Sequence, residues 1–308
     1  MSLVDTLLKK LVPNVATDAP KTKSQLELSI SRKQEPDRNH HLGGRSFYFF
    51  DFDDNIAFLA TPVVLFHKDN GEEILVSSGE FAQISRQIKE EGHFYDHILD
   101  FDDKNGSFRF YRDYEQSLWT KAFRRKQAFE KDILDILNQA DLMWKGPSWN
   151  CFYHAVFNQR PTSIITARGH SPETIKKGIR LIYKNGHLPK EPNYLDIFPV
   201  NHPPTKNRLG HKLNDTDVAV MKQKAIRMSV EKAFKDYGYN PHHRFGMSDD
   251  DPRNVELITE EFRALKKDYP DVSFFVISTS HGEFIKKEVF TDYSVEQNLY
   301  PRHQLSLF

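Results

Sequence analysis

Short apolar runs that break off at a polar residue, with stretches of helical periodicity between them, set the tightest limit on what this chain can fold into. Ser46-Phe-Tyr-Phe-Phe50 stops at Asp51, Thr162-Ser-Ile-Ile-Thr166 leads into Ala167-Arg168-Gly169, and Arg244–Met247 runs into Ser248-Asp249-Asp250-Asp251. Tyr194–Val200 and Val272–Ser278 read as further strands. Between them, Ser171-Pro172-Glu173 opens a helix through about Tyr183, with Pro at a first-turn position. Helical spacing recurs from about Asp217 to Tyr237 and over Val255–Lys267. Strands alternating with helices in this way predict an α/β fold with a mostly parallel sheet. In such sheets ligands bind beyond the carboxyl ends of the strands, so the residues that stop each run are the ones that bear on function.

The composition supports a sizeable core. The chain has 308 residues, 38% of them hydrophobic, with 24 Phe, which suggests one large domain or a domain with an insert. No apolar run approaches the roughly 18–20 residues that span a bilayer, which argues against a membrane protein. Lys+Arg and Asp+Glu both number 43, and that balance disfavours a nucleic-acid partner or a membrane-surface field. The single cysteine, Cys151, excludes an internal disulfide framework and any multi-cysteine zinc site. The first residues lack a long apolar segment before a small-residue cleavage site, so a cytoplasmic protein is expected.

Three strand ends carry unusual chemistry. In Phe50-Asp51-Phe52-Asp53-Asp54-Asn55, Asp51 and Asp53 sit two apart directly after an apolar run. Carboxylates this close repel unless a proton or cation is shared, and a hard cation such as Mg²⁺ suits an all-oxygen site. The same four letters recur at Asp100-Phe101-Asp102-Asp103, but there Asp96 and His97 interrupt the upstream run and Lys104-Asn105-Gly106 makes an ordinary turn. Context separates the two copies, and the second reads as structural. At the second strand end, the Thr166 hydroxyl next to Gly169 and a following helix can donate to a phosphate oxygen. At the third, Asp249-Asp250-Asp251 precedes Asn254 and the helix at Val255, where an Asp also serves as an N-cap. Turn chemistry explains each alone; it does not explain all three together in one α/β pattern.

With these residues in place the chain resembles the haloacid dehalogenase-like superfamily, mostly phosphatases and phosphotransferases. Asp51-Phe-Asp53 looks like its first motif, Thr166 its second, and Asp249-Asp250 with Asn254 its acidic fourth. Lys222 and Lys224 compete for the third; Lys222 is preferred because Ala225, Ile226, Ser229 and Ala233 then continue on one helix face. One departure is Asn55, where many members have Thr or a small apolar residue.

The resemblance implies a Rossmann-like mostly parallel sheet flanked by helices, with a cap inserted after the first strand. The expected layout is an arm over 1–45, a core over 46–60 and 150–285, a flap hairpin and mainly helical cap over 61–149, and a tail over 286–308. Asp69-Asn70-Gly71 supplies the hairpin turn. The resemblance also implies a phosphohydrolase acting on a small phosphorylated substrate, with Asp51 as nucleophile and Asp53 as general acid/base. Mg²⁺ would lie among Asp51, Asp53, Asp249 and Asp250, while Thr166 and Lys222 hold the phosphoryl oxygens. Arg168, Lys224 and Asn254 are candidate substrate-binding residues, Asn254 alternatively orienting an Asp or the Lys. A phosphotransferase, a polynucleotide-end phosphatase and a catalytically silent binding module are the competing readings.

Overall fold

A computed structural model describes residues 33–297, apart from 78–79, 82–83, 85–87, 89–93, 103, 116–125, 211–216 and 281–283. Most of the expected arm, parts of the insert and the end of the tail therefore lie outside the described residues. In chain order the elements are β1 (Ser46–Phe50), β2 (Pro62–His67), β3 (Glu73–Ser77), β4 (His97–Ile98), α1 (Ala128–Leu137), α2 (Asp141–Trp144), α3 (Trp149–Phe157), β5 (Thr162–Thr166) and α4 (Pro172–Lys184). There follow β6 (Tyr194–Pro199), α5 (Pro203–Arg208), α6 (Val218–Tyr237), β7 (Arg244–Asp249), α7 (Pro252–Asp268), β8 (Ser273–Ser278), β9 (Ile285–Val289) and β10 (Ser294–Glu296).

The main sheet has seven strands in the order β10-β9-β8-β7-β1-β5-β6. β1 pairs in parallel with β5 and β7, β5 with β6, and β7 with β8, while β9 and β10 add antiparallel. The apolar run of β1 is continuous because both faces are covered. Phe47 and Phe49 pack with Met221, Ile226, Phe262 and Leu265 of α6 and α7. Phe50 packs with Phe129, Phe152, Ile175 and Ile179 of α1, α3 and α4. Strands buried on both faces read as unbroken apolar stretches rather than as alternation. Capping fixes the helix starts: Ser171 accepts the Thr174 N–H, Asp217 that of Ala219 and Asp251 that of Arg253.

Three features differ from the expected layout. The main sheet runs past residue 285, since Ile285–Val289 pairs with β8 and carries β10 beyond it; its charged Lys286-Lys287-Glu288 lacks the apolar run that marks the parallel strands, which hides the strand signal. Within the 61–149 insert, α1 belongs to the core's helical layer, with Phe129, Ile133 and Ile136 in the cluster beneath β1. What stands apart is a small antiparallel sheet, β3-β2-β4, whose β2–β3 hairpin turns at Gly71 with φ 69°. An amphipathic stripe says that a helix needs a partner, not which one. Finally, the end of the arm is tied down: Asp37 accepts the Ser46 N–H and pairs with Arg160 at 2.8 Å. Among the described residues, no helix is long and apolar enough to cross a membrane.

Candidate functional site

β5, β1 and β7 are neighbours, so their carboxyl ends open side by side, and the sheet grows outward from β1 in both directions. That reversal is where a crevice forms in an open parallel sheet. Asp51 follows β1 and its N–H donates to the Ser248 carbonyl at 3.0 Å, extending the β1–β7 ladder to the site. Asp249 ends β7. Lys222 of α6, almost fully buried, places its Nζ 2.8 Å from Asp249 Oδ2 and 3.2 Å from Asp51 Oδ2. Asp249 Oδ1 accepts from Asn254 Nδ2 at 3.0 Å and from the Asp251 N–H at 3.1 Å.

Asp250 completes the cluster: one oxygen from each of Asp51, Asp249 and Asp250 lies within 4.8 Å of the others. Asp51 Oδ1 is buried with no hydrogen-bond partner. Three carboxylates share one ammonium. Burial drives the Asp51 carboxyl well above the usual range; Lys222 opposes the rise and Asp249 and Asp250 add to it. Asp250 is pushed up to about 7 by burial and then by Asp249. Burial disfavours the charge on Lys222, but Asp249 and Asp51 together hold its ammonium above the ordinary lysine range. An all-oxygen donor set with surplus negative charge and an orphaned oxygen fits a hard divalent cation such as Mg²⁺.

A second network adjoins the first. Asp53 Oδ1 accepts from Arg168 Nε at 3.0 Å and Nη2 at 2.6 Å, and Oδ2 from Arg168 Nε at 3.0 Å and the Thr166 hydroxyl at 3.2 Å. Arg168 is fully buried, with its guanidinium 5.0 Å from the Tyr111 ring centroid and 4.9 Å from that of Phe129. The structure thus directs Arg168 at Asp53, and Asn254 at Asp249. Lys224 is half-buried, about 200° around α6 from Lys222. Asp54 adopts φ 55°, which Asp tolerates better than most residues, and burial followed by Asp53 pushes its carboxyl up to about 6.

Asn55 acts at this site in a way its residue type alone does not announce. Its Nδ2 donates to the Asp51 carbonyl and to the Ser248 carbonyl and hydroxyl, and its Oδ1 accepts the Thr279 hydroxyl at 2.9 Å. One buried amide therefore ties the ends of β1, β7 and β8 together. Thr61 and Asp132 also enter the site, through Arg168 Nη2 on Thr61 Oγ1 and the Thr61 hydroxyl on Asp132, both at 2.6 Å. Their only sequence signal is that they are polar, because chain closure brings them in. The second Asp-Phe-Asp copy forms an exposed turn in which Asp102 accepts the Lys104 and Asn105 N–H groups. Burial pushes the Cys151 thiol up to about 12, which leaves it a poor nucleophile.

No protein-family model, no curated protein and no solved structure matches the chain.

Proposed function

We propose that the chain is a Mg²⁺-dependent phosphohydrolase of the haloacid dehalogenase-like kind, acting on a small phosphomonoester through an aspartyl-phosphate on Asp51. The observation that carries this reading is the buried, unpartnered Asp51 Oδ1 within 4.8 Å of Asp249 and Asp250 oxygens, at a strand end flanked by Thr166 and Lys222. Asp51, Asp249 and Asp250 would hold the cation, which supplies neutralising charge to the phosphoryl oxygens. The chain's own groups do the rest. Lys222, pinned between Asp51 and Asp249, adds fixed positive charge, and the Thr166 hydroxyl turns from Asp53 to a phosphoryl oxygen.

A carboxylate oxygen of Asp51 attacks phosphorus, the bond to the leaving oxygen breaks with its electron pair, and that oxygen takes a proton from Asp53. Water then attacks phosphorus, its proton passes to Asp53, and phosphate departs with the Asp51 carboxylate restored. The small β3-β2-β4 sheet is the part of the insert suited to cover the crevice and select the substrate. A metal-dependent screen over phosphomonoesters tests the reading. Wild type should turn over at least one ester only with Mg²⁺, and Asp51→Asn should abolish it. Equal activity in both proteins rules out the nucleophile, while Mg²⁺ binding without turnover of any ester favours a binding module.

A further inference from the structure

Arg168 is buried among the side chains of the insert, yet its donors converge on a carboxylate that opens to the crevice; the Asp53 side chain keeps a relative exposure of 25% against 1% for Arg168. We propose that Arg168 is a positioning residue for Asp53, held from behind by the neck of the small sheet, and that it makes no contact with substrate. This rests on the phosphohydrolase reading and adds to it the group that aims the proton-handling carboxylate.

The geometry of the clamp is specific. A guanidinium presents its donors in a rigid planar fork, so Nε and Nη2 together fix both the distance and the plane of the Asp53 carboxylate. An ammonium at the same place would fix only the distance. The fork lies over the rings of Tyr111 and Phe129, its Nη2 also donates to Thr61 Oγ1, and Asp132 Oδ2 is 3.8 Å from Nη1. The clamp also distinguishes the two Asp53 oxygens. Oδ1 receives only Arg168, whereas Oδ2 receives Arg168 and the Thr166 hydroxyl. When Thr166 turns to a phosphoryl oxygen, Oδ2 keeps one donor, Arg168 Nε, against two on Oδ1, and it is the oxygen that works on the leaving group and on water.

The same contacts lead into the neck of the small sheet. The chain enters that sheet through Thr61 and leaves it through Tyr111–Asp113. The Tyr111 hydroxyl donates to the Thr61 carbonyl, and the Tyr111 carbonyl accepts the Gly169 N–H. Asp113 accepts the Ser171 N–H and the Thr174 hydroxyl at the start of α4. Both strands of the neck are therefore fastened to the 167–171 loop that carries Arg168, so the seating of the sheet and the aim of Asp53 share one set of bonds.

The experiment measures kcat and KM for 4-nitrophenyl phosphate with Mg²⁺ in wild type, Arg168→Gln, Arg168→Lys, Thr61→Val and Asp53→Asn, and in Arg168→Gln and Thr61→Val each combined with Asp53→Asn. Arg168→Gln should lower kcat about 10²-fold, the loss that a misplaced catalytic group brings, with KM changed by less than about threefold. Arg168→Lys should recover part of that loss. In the Asp53→Asn background the Arg168 and Thr61 substitutions should alter kcat by less than about threefold, because the group they aim is gone. A raised KM at constant kcat in Arg168→Gln, or an undiminished loss in the Asp53→Asn background, overturns the proposal while leaving the phosphohydrolase reading intact. Absence of turnover of every ester in the screen by wild type, or full activity in Asp53→Asn, removes the reading itself and the proposal with it. Thr61→Val deletes only one hydroxyl and serves if Arg168→Gln does not fold.

Discussion

His170 sits two residues beyond Arg168, fully buried, with neither ring nitrogen hydrogen-bonded. Burial, and after it the nearby charge of Arg168, pushes its pKa from 6.5 down to about 2. The sign of the consequence follows from proton counting. Between pH about 6.5 and 2 the unfolded chain binds a proton on this imidazole and the native state does not, so stability falls as pH falls. The loss amounts to about 2 kcal/mol between pH about 7.5 and 5. Urea unfolding of His170→Leu and wild type at those two pH values should show a smaller acid loss in the variant; parallel losses would mean that His170 is not buried neutral. At this scale the sequence is informative only where context is local. Asp51 and Asp100 open the same four letters, and the apolar run before Asp51 separates them. Asn55 and Arg168 carry no such local mark, because their partners lie up to 224 positions away in the chain.

Among elements, the contact of α1 with α4 shows how the second network is held. α4 presents Gly178 to α1, and a Cβ there would lie 2.3 Å from Phe129 Cε1 and 2.5 Å from Cδ1. Phe129 has nowhere to go, since its ring is fully buried and its other neighbours include Phe52 and the Arg168 guanidinium. Alanine in place of glycine raises helix propensity by about 1 kcal/mol, but overpacking costs about 1–3 kcal/mol and should win here. Gly178→Ala is thus expected to lower the midpoint of thermal unfolding. It should also slow turnover through displacement of Phe129 from Arg168. A variant with an unchanged or higher midpoint would show that α1 can move away from α4. The strand–helix alternation was legible because β1, β5, β7 and β8 are buried on both faces and flanked by capped helices. β9 was not, since Lys286, Lys287 and Glu288 break its apolar run, and neither was the place of α1, whose apolar stripe fits a cap as well as a core.

For the whole molecule, the equal numbers of acidic and basic residues conceal a local surplus at the ends of β1 and β7. Asp51, Asp249 and Asp250 face one buried ammonium, that of Lys222, and their mutual repulsion is a standing cost to the fold. The sequence shows where these carboxylates stand along the chain, but not that Asp251 is drawn off as a helix cap while Asp250 is left to the cluster; that division depends on where α7 begins. On the phosphohydrolase reading the stored repulsion should make stability depend on Mg²⁺, a readout that activity does not enter. Without divalent ions, Asp51→Asn removes a carboxylate whose charge burial and three neighbouring acids, Asp249, Asp250 and Asp53, oppose more than Lys222 favours it, so the variant should unfold at a higher temperature than wild type. With Mg²⁺ in excess the order should reverse. Binding to the native state alone stabilises wild type by about 2.7 kcal/mol at a hundredfold excess over Kd. A domain of this size gains about 2–4 °C per kcal/mol, so its unfolding midpoint should rise by several degrees while that of Asp51→Asn moves little. Thermal unfolding in EDTA and in Mg²⁺ reads both midpoints directly. If the two curves keep the same order in both buffers, the cluster does not hold the cation through Asp51.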